Sequence, residues 1–158
     1  MGRAREFCLD SLTEICRYAA AKQVTSVLEP LAPEESPLIN ALPARREAFS
    51  LTEQYGAEAM AALAPLGLNG ETLDEFFAAC GESLQVIHCI DCDGTAARHL
   101  VPGEGSLDFP ALAQSLRFHN LLNALSLEPS PAYHSEPMAA LIRAKDCLLN
   151  MFGDAITL

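Results

Sequence analysis

Apolar residues near the start of the chain recur at the spacing of one helix face. They fall three or four positions apart between residues 4 and 28, at Cys8, Leu9, Leu12, Ile15, Cys16, Ala19 and Ala20. That period predicts an amphipathic helix over this stretch. Because the two cysteines share the face with leucine and isoleucine, we expect buried thiols without redox chemistry.

Prolines separate this helix from the next helical pattern. The intervening stretch contains Pro30, Pro33, Pro37 and Pro43. Proline forbids a continuous helix, so we predict an irregular connection over 29–43 inside a single domain of residues 1–158. A second helical pattern follows over 44–64 and ends at the glycine-rich and proline-rich loop of residues 65–70.

Three further helices carry recognisable start and stop signals. The clearest is a capping box, formed by Thr72 with Glu75 three residues later, and Gly81 closes that helix. An acidic or serine cap followed closely by proline marks the other two starts. Their predicted spans are 108–125 and 135–153.

The pattern changes over residues 84–101. Val86 and Ile87 are β-branched, and Asp93-Gly94 separates this run from a second one over 95–101. Asp-Gly between two such runs is a strong hairpin signal, so we predict an antiparallel β-hairpin over 84–101. The expected fold class is α+β and predominantly helical, with about five helices around this small hairpin.

Composition limits the functions that such a domain serves. The chain has 158 residues, of which 50% are hydrophobic and 20% charged, as in an ordinary folded domain. Its formal net charge of -11 repels phosphate backbones and anionic lipid, so we expect neither nucleic acid nor membrane as a partner. A secretory signal needs an uninterrupted apolar segment, whereas charged residues lie on both sides of the short apolar patch at the start of this sequence. We therefore expect a cytoplasmic protein.

The negative charge is concentrated in the middle of the chain. Between Arg46 and Arg98 the sequence has no Lys or Arg, whereas nine acidic residues occur there. This asymmetry fits a solvated acidic face or a surface that docks a basic protein. We predict a non-enzymatic, acidic module that binds and inhibits a basic effector protein. In size and charge it is similar to an immunity protein or a secretion chaperone. Its candidate docking residues are Glu71, Asp74, Glu75, Glu82, Asp91 and Asp93.

A first alternative is a zinc site, although no cofactor is required by the main prediction. Cys89 and Cys92 form a CxxC pair, with His88 beside it and His99 ten residues after Cys89. Thiolate and imidazole ligands suit tetrahedral zinc. A regular hairpin excludes this arrangement, because the two cysteines would then face opposite sides of the sheet.

A second alternative is phosphotransfer. Residues 91–95, which follow the apolar run, read Asp-Cys-Asp-Gly-Thr. This segment resembles the first motif of the haloacid-dehalogenase-like phosphotransferases, a strand that ends in DxDGT. The resemblance covers about ten residues and implies Asp91 as the nucleophile, Asp93 as the general acid or base, and magnesium as the cofactor. Thr95 ends the motif, and no other catalytic residue is assigned.

Overall fold

Four short parallel strands form one sheet in the computed structural model, which describes residues 2–35, 38–39, 41–121 and 125–153. The strands are β1 (Val27–Leu28), β2 (Glu58–Ala62), β3 (Leu84–His88) and β4 (Leu125–Ser126). Their order in the sheet is the order of the sequence, and each neighbouring pair is parallel. All four strands therefore end at the same edge of the sheet.

Helices connect these strands, as parallel pairing requires. They are α1 (Gly2–Ala21), α2 (Leu42–Thr52), α3 (Leu63–Leu68), α4 (Leu73–Cys80), α5 (Phe109–Phe118) and α6 (Pro137–Phe152). α1 precedes β1, and α6 follows β4. The described helices include none that is long and apolar enough to cross a bilayer.

The two faces of the sheet differ in burial. Ala61 and Ile87 are opposite each other in the β2–β3 register, and both are fully buried in the main hydrophobic core. Met60 and Val86 form the next registered pair and point the other way, where both are half-buried. The helices thus cover one face, which we call the outer face, and leave the other, the inner face, partly open.

The predicted α+β fold with an antiparallel hairpin over 84–101 is wrong. β3 ends at His88, and the only antiparallel pairing in the described part of this segment is an isolated bridge between Asp91 and Leu100. The physical reason is the Asp91 carboxylate, which accepts hydrogen bonds from the backbone N–H groups of Cys92, Gly103, Gly105 and Leu107. These bonds fold the following chain into a loop, and β3 pairs on both sides with other strands.

The predicted starts of the helices agree with the structure better than the predicted ends do. The Thr72–Glu75 capping box is confirmed, with bonds in both directions. Asp108 caps α5 by accepting from the Ala111 N–H, and α6 begins at a proline, as predicted. The helices predicted over 4–28, 44–64 and 108–125 were too long, because each pattern ran on into a strand: α1 ends before β1, α2 ends before β2, and α5 ends before β4.

The loop held by Asp91 gives a test of the fold. A Cβ atom at Gly105 would lie 2.2 Å from the Cys92 carbonyl oxygen and 2.4 Å from Asp91 Oδ1. We therefore expect Gly105→Ala to lower the free energy of unfolding in urea by about 2 kcal/mol, through overpacking. Gly2→Ala, where nothing lies within 4 Å of the new Cβ, is the control. Equal stability of the two variants would contradict the described loop.

Candidate metal centre

Three polar side chains meet at the carboxyl edge of the sheet. Glu29 follows β1 directly, His88 is the last residue of β3, and Glu128 lies two positions after β4. The carboxyl ends of parallel strands share one edge, which is where sites form in sheets of this kind. One ligand atom from each of these residues lies within 4.8 Å of the other two.

The imidazole of His88 is central to this cluster. Its Nδ1 lies 2.8 Å from Glu29 Oε1 and 3.3 Å from Glu128 Oε2. The side chain is 16% exposed, but its Nδ1 atom is buried. This atom forms no hydrogen bond with either carboxylate, although both are near it. A buried ring nitrogen without a hydrogen-bond partner has an unsatisfied lone pair or proton, which a cation bound between the three side chains would satisfy.

These residues fit a divalent cation. Carboxylate and imidazole groups bind magnesium, manganese, iron and zinc, and ligands about 2.1 Å from an octahedral ion lie roughly 3 Å apart when adjacent. The 2.8 Å and 3.3 Å separations around His88 Nδ1 are close to that spacing. Three protein ligands would leave coordination positions open for water or substrate.

β2 supplies no ligand to the cluster. The residues at its end, Ala62 and Leu63, are apolar and 1% exposed, and Ala64 after them is fully buried. Within the part of the chain that the structure describes, the ligand set thus comes from β1, β3 and β4.

A second histidine borders the cluster. His99 Nδ1 lies 3.7 Å from Glu128 Oε2, and its Nε2 lies 3.9 Å from Glu35 Oε1. The backbone of His99 has a φ of 51°, which is unusual for a residue other than glycine. Nearby, the Ala97 N–H donates to Glu34 Oε1 at 2.7 Å. The loop after β3 is therefore fastened to the loop after β1 on one side of the site.

The zinc site predicted from Cys89, Cys92, His88 and His99 is not formed in the structure. Cys89 and Cys92 are buried, whereas His88 faces the two glutamates. Burial raises the pKa of the Cys89 thiol to about 12, and neither cysteine belongs to the group of converging ligand atoms. In the described ranges, the cluster of Glu29, His88 and Glu128 is the one group of this kind with converging ligand atoms.

The phosphotransferase resemblance also fails on geometry. Asp91 is fully buried, and its oxygens accept four backbone N–H groups, so it is not available to attack a phosphate. Asp93 accepts from Thr95 and Ala96 and pairs with Arg98. These hydrogen bonds hold the pKa of the Asp93 carboxyl far below its usual range. Both aspartates organise the loop after β3.

The remaining acidic residues of the predicted docking surface have internal partners. Glu71 pairs with the buried Arg45 and accepts from the Leu42 N–H. Asp74 accepts from Ser115 Oγ and His119 Nε2, both at 2.8 Å. Glu75 completes the capping box, and the side chain of Glu82 lies outside the described part of the structure. Glu71 and Asp74 thus join neighbouring elements of the fold, and Glu75 caps its own helix.

Comparison with known proteins identifies the family. A family model described as "Xylose isomerase-like TIM barrel" matches residues 2–148. The chain therefore belongs to the xylose isomerase-like TIM barrel family, whose barrel is built from parallel strands and helices in alternation. This finding agrees with the parallel sheet and corrects the predicted hairpin fold.

Individual relatives are named as sugar epimerases. Fructoselysine 3-epimerases of Escherichia coli O157:H7 and Shigella flexneri are each 26% identical over 128 residues, which is 81% of this chain and 46% of theirs. The chain thus spans about half the length of these curated relatives.

Two solved structures share the fold. One is the 3-keto-D-glucoside 4-epimerase of E. coli, with a TM-score of 0.69 and 23% identity over 90% of this chain and 54% of that one. The other is the D-psicose 3-epimerase of Clostridium cellulolyticum H10, solved with D-tagatose. It has a TM-score of 0.73 and 17% sequence identity, and the match covers 93% of this chain and 55% of that one.

These comparisons correct the functional prediction. Relatives named as sugar epimerases process small molecules, so the interpretation as a non-enzymatic module that docks a basic partner is wrong. The comparison with immunity proteins, chaperones and inhibitors rested on size and charge alone and is wrong as well. The acidic residues that suggested it largely hold the fold together.

Sequence reasoning missed Glu29 and Glu128. Both occur in the tripeptide Leu-Glu-Pro, at residues 28–30 and 127–129. Proline after a glutamate ends a strand, because it cannot donate to the sheet. This repeated tripeptide marks the ends of β1 and β4, whereas the prolines of residues 29–43 indicated only an irregular connection.

The burial of the cysteines leads to a labelling experiment. Cys89 and Cys92 are each 1% exposed, whereas Cys8 is half-buried. Burial also raises the pKa of the Cys89 thiol, so the thiolate that maleimide attacks is scarcer there than at a more exposed cysteine. We expect maleimide to modify Cys8 at least ~100-fold faster than either buried thiol, as measured by peptide mass spectrometry. Equal labelling, or protection of Cys89 that zinc removal abolishes, would contradict this description of the site.

Proposed function

We propose that this chain provides the divalent-metal site of a sugar isomerase or epimerase. The observation that carries the proposal is the convergence of Glu29, His88 and Glu128 from three strand ends onto one point. The substrate class we propose is a keto sugar, because the relatives are named for fructoselysine, a 3-keto-glucoside and D-psicose.

The chemistry follows from the acidity of a carbon next to a carbonyl group. Epimerisation at that carbon removes a proton from one face and returns a proton to the other, so it needs a base and an acid. Glu29 and Glu128 follow the first and last described strands, and one oxygen of each lies within 3.3 Å of His88 Nδ1. Two carboxylates so placed are suited to the two proton transfers.

The other residues position these groups. A bound cation would polarise the substrate carbonyl and stabilise the negative charge that develops on its oxygen. His88 Nδ1 lies within 3.3 Å of both carboxylates and would bind the same cation. His99 Nδ1 lies 3.3 Å from the backbone carbonyl oxygen of Glu128. This contact restricts the movement of the Glu128 backbone. The tie between Ala97 and Glu34 keeps two of the surrounding loops together.

Metal affinity tests the ligand set directly. We expect His88→Ala to weaken Mn²⁺ binding at least ~10-fold in calorimetric titration, because it removes the ligand that faces both carboxylates. His134→Ala is the matched control, since His134 is exposed in a short turn. Unchanged affinity in the His88 variant would show that any bound metal lies elsewhere.

Proton exchange tests the reaction. With saturating Mn²⁺ in D₂O, we expect the protein to exchange the proton beside the carbonyl of D-psicose or D-tagatose, as followed by ¹H NMR. Glu128→Gln should slow exchange by about 10²-fold or more, because it removes a general base. His134→Ala should exchange at the wild-type rate. A metal-loaded wild-type protein that exchanges neither ketose would overturn the proposed substrate class.

A further inference from the structure

A cavity of about 180 Å³ lies between α2 and the outer face of the sheet. Leu28 and Ala59, which are opposite each other in the β1–β2 register, line it from the sheet. Phe49 of α2 and Phe76 of α4 are buried and line it from the helices. An apolar cavity of about 150 Å³ is large enough to bind benzene. This cavity therefore has room for one aromatic ring with a small substituent.

A charged side chain also lines the cavity. Arg45 of α2 is 6% exposed, and its guanidinium carbon lies 5.3 Å from the centre of the Phe76 ring. Burial lowers the pKa of Arg45 to about 10, so the group is still charged at neutral pH. Removing a charge from water costs free energy unless the group is paired and hydrogen-bonded. The partners of Arg45 therefore determine what the cavity favours.

The pairing of Arg45 is incomplete. Its Nη2 atom is paired with a carboxylate oxygen of Glu71, whose side chain is 13% exposed. Its Nε and Nη1 atoms are buried, and neither forms a hydrogen bond within the described part of the chain. Native proteins satisfy most buried donors, and a guanidinium carries five N–H groups. Donors of this kind in the wall of a cavity are available to a ligand.

We propose that this cavity binds a small neutral molecule that combines an apolar body, such as one aromatic ring, with a carbonyl group. The apolar body packs against Phe49, Ala59 and Phe76, and the carbonyl oxygen accepts a hydrogen bond from the guanidinium of Arg45. This site depends on the core between α2 and the sheet, so the inference does not rest on the proposed metal chemistry.

The charge of Glu71 decides between a neutral ligand and an anion. Arg45 and Glu71 together carry no net charge, so a neutral acceptor leaves their ion pair intact. A carboxylate ligand would bring a second negative charge close to Glu71, and like charges that share a buried site repel each other. The ligand class is therefore a ketone or an amide, and an acid is disfavoured.

The side of the cavity next to α1 is open to solvent. Leu12 of α1 and Ile39 before α2 line the cavity and are half-buried, and Val27 of β1 is 37% exposed. The residues that line it beside Arg45 are buried in the core. A ligand can thus enter between α1 and β1.

Three probes of similar size test the ligand class. Acetophenone has a neutral carbonyl group, benzoate has a carboxylate, and isopropylbenzene has no polar group. We expect acetophenone to bind one-to-one and at least ~10-fold more tightly than the other two in calorimetric titration, because only its oxygen satisfies Arg45 without opposing Glu71. EDTA in the buffer prevents binding through a metal ion.

Two outcomes would overturn the proposal. Acetophenone that does not saturate the protein would show that the cavity holds only water. Benzoate that binds more tightly than acetophenone would show a site for anions, contrary to the argument from Glu71.

A substitution that fills the cavity locates the bound probe. Ala48 of α2 lines the cavity and is 3% exposed, so leucine at this position occupies part of the space. We expect Ala48→Leu to weaken acetophenone binding at least ~10-fold. Ala20→Leu is the matched control, because Ala20 is exposed on α1. Equal affinity of the two variants would place the probe outside this cavity.

A double substitution tests the role of Arg45. Arg45→Met with Glu71→Gln removes the donors without leaving a buried unpaired charge, and glutamine can still accept from the Leu42 N–H. We expect this variant to bind acetophenone and isopropylbenzene with similar affinity, because only the hydrogen bond to Arg45 distinguishes them. A preserved preference for acetophenone would show that another group recognises the carbonyl. Circular dichroism checks that each variant folds, and the wild-type probe series and Ala48→Leu test the cavity independently of this variant.

Discussion

Parallel pairing is the constraint on which the rest of the structure depends. Strands that run in one direction must be joined by helices, and all of them must end at the same edge. The helices cover the outer face, where Ala61 and Ile87 are fully buried. The shared edge brings together Glu29 and Glu128, which are 99 positions apart in the chain. The candidate site is thus a consequence of the topology, because no local segment contains it.

The sequence revealed helix starts well because capping is local. The Thr72–Glu75 box and the Asp108 cap each depend on residues three positions apart, so the pattern contains the whole interaction. Strands were harder to recognise. β1 and β4 have only two residues each, too short for a period, and β2 is rich in alanine, which is typical of helices.

The segment after β3 shows why turn chemistry alone was misleading. Asp93-Gly94 favours a tight hairpin when the flanking strands pair with each other. Here β3 is already paired on both sides, and the fully buried Asp91 binds four backbone N–H groups from the segment that follows. This network joins residues up to sixteen positions apart, so no short motif displays it. The sequence singled out His88 beside Cys89 and Cys92, whereas the carboxylates nearest to it in the structure, Glu29 and Glu128, follow two other strands.

The Asp91 carboxylate joins the two ends of the loop between Cys92 and Gly103. It accepts hydrogen bonds from the N–H of Cys92 at one end and from those of Gly103 and Gly105 at the other. The segment between these anchor points carries Ala97, which donates to Glu34, and His99, which lies beside Glu128. One buried side chain below the site therefore determines where the residues at the rim of the site lie.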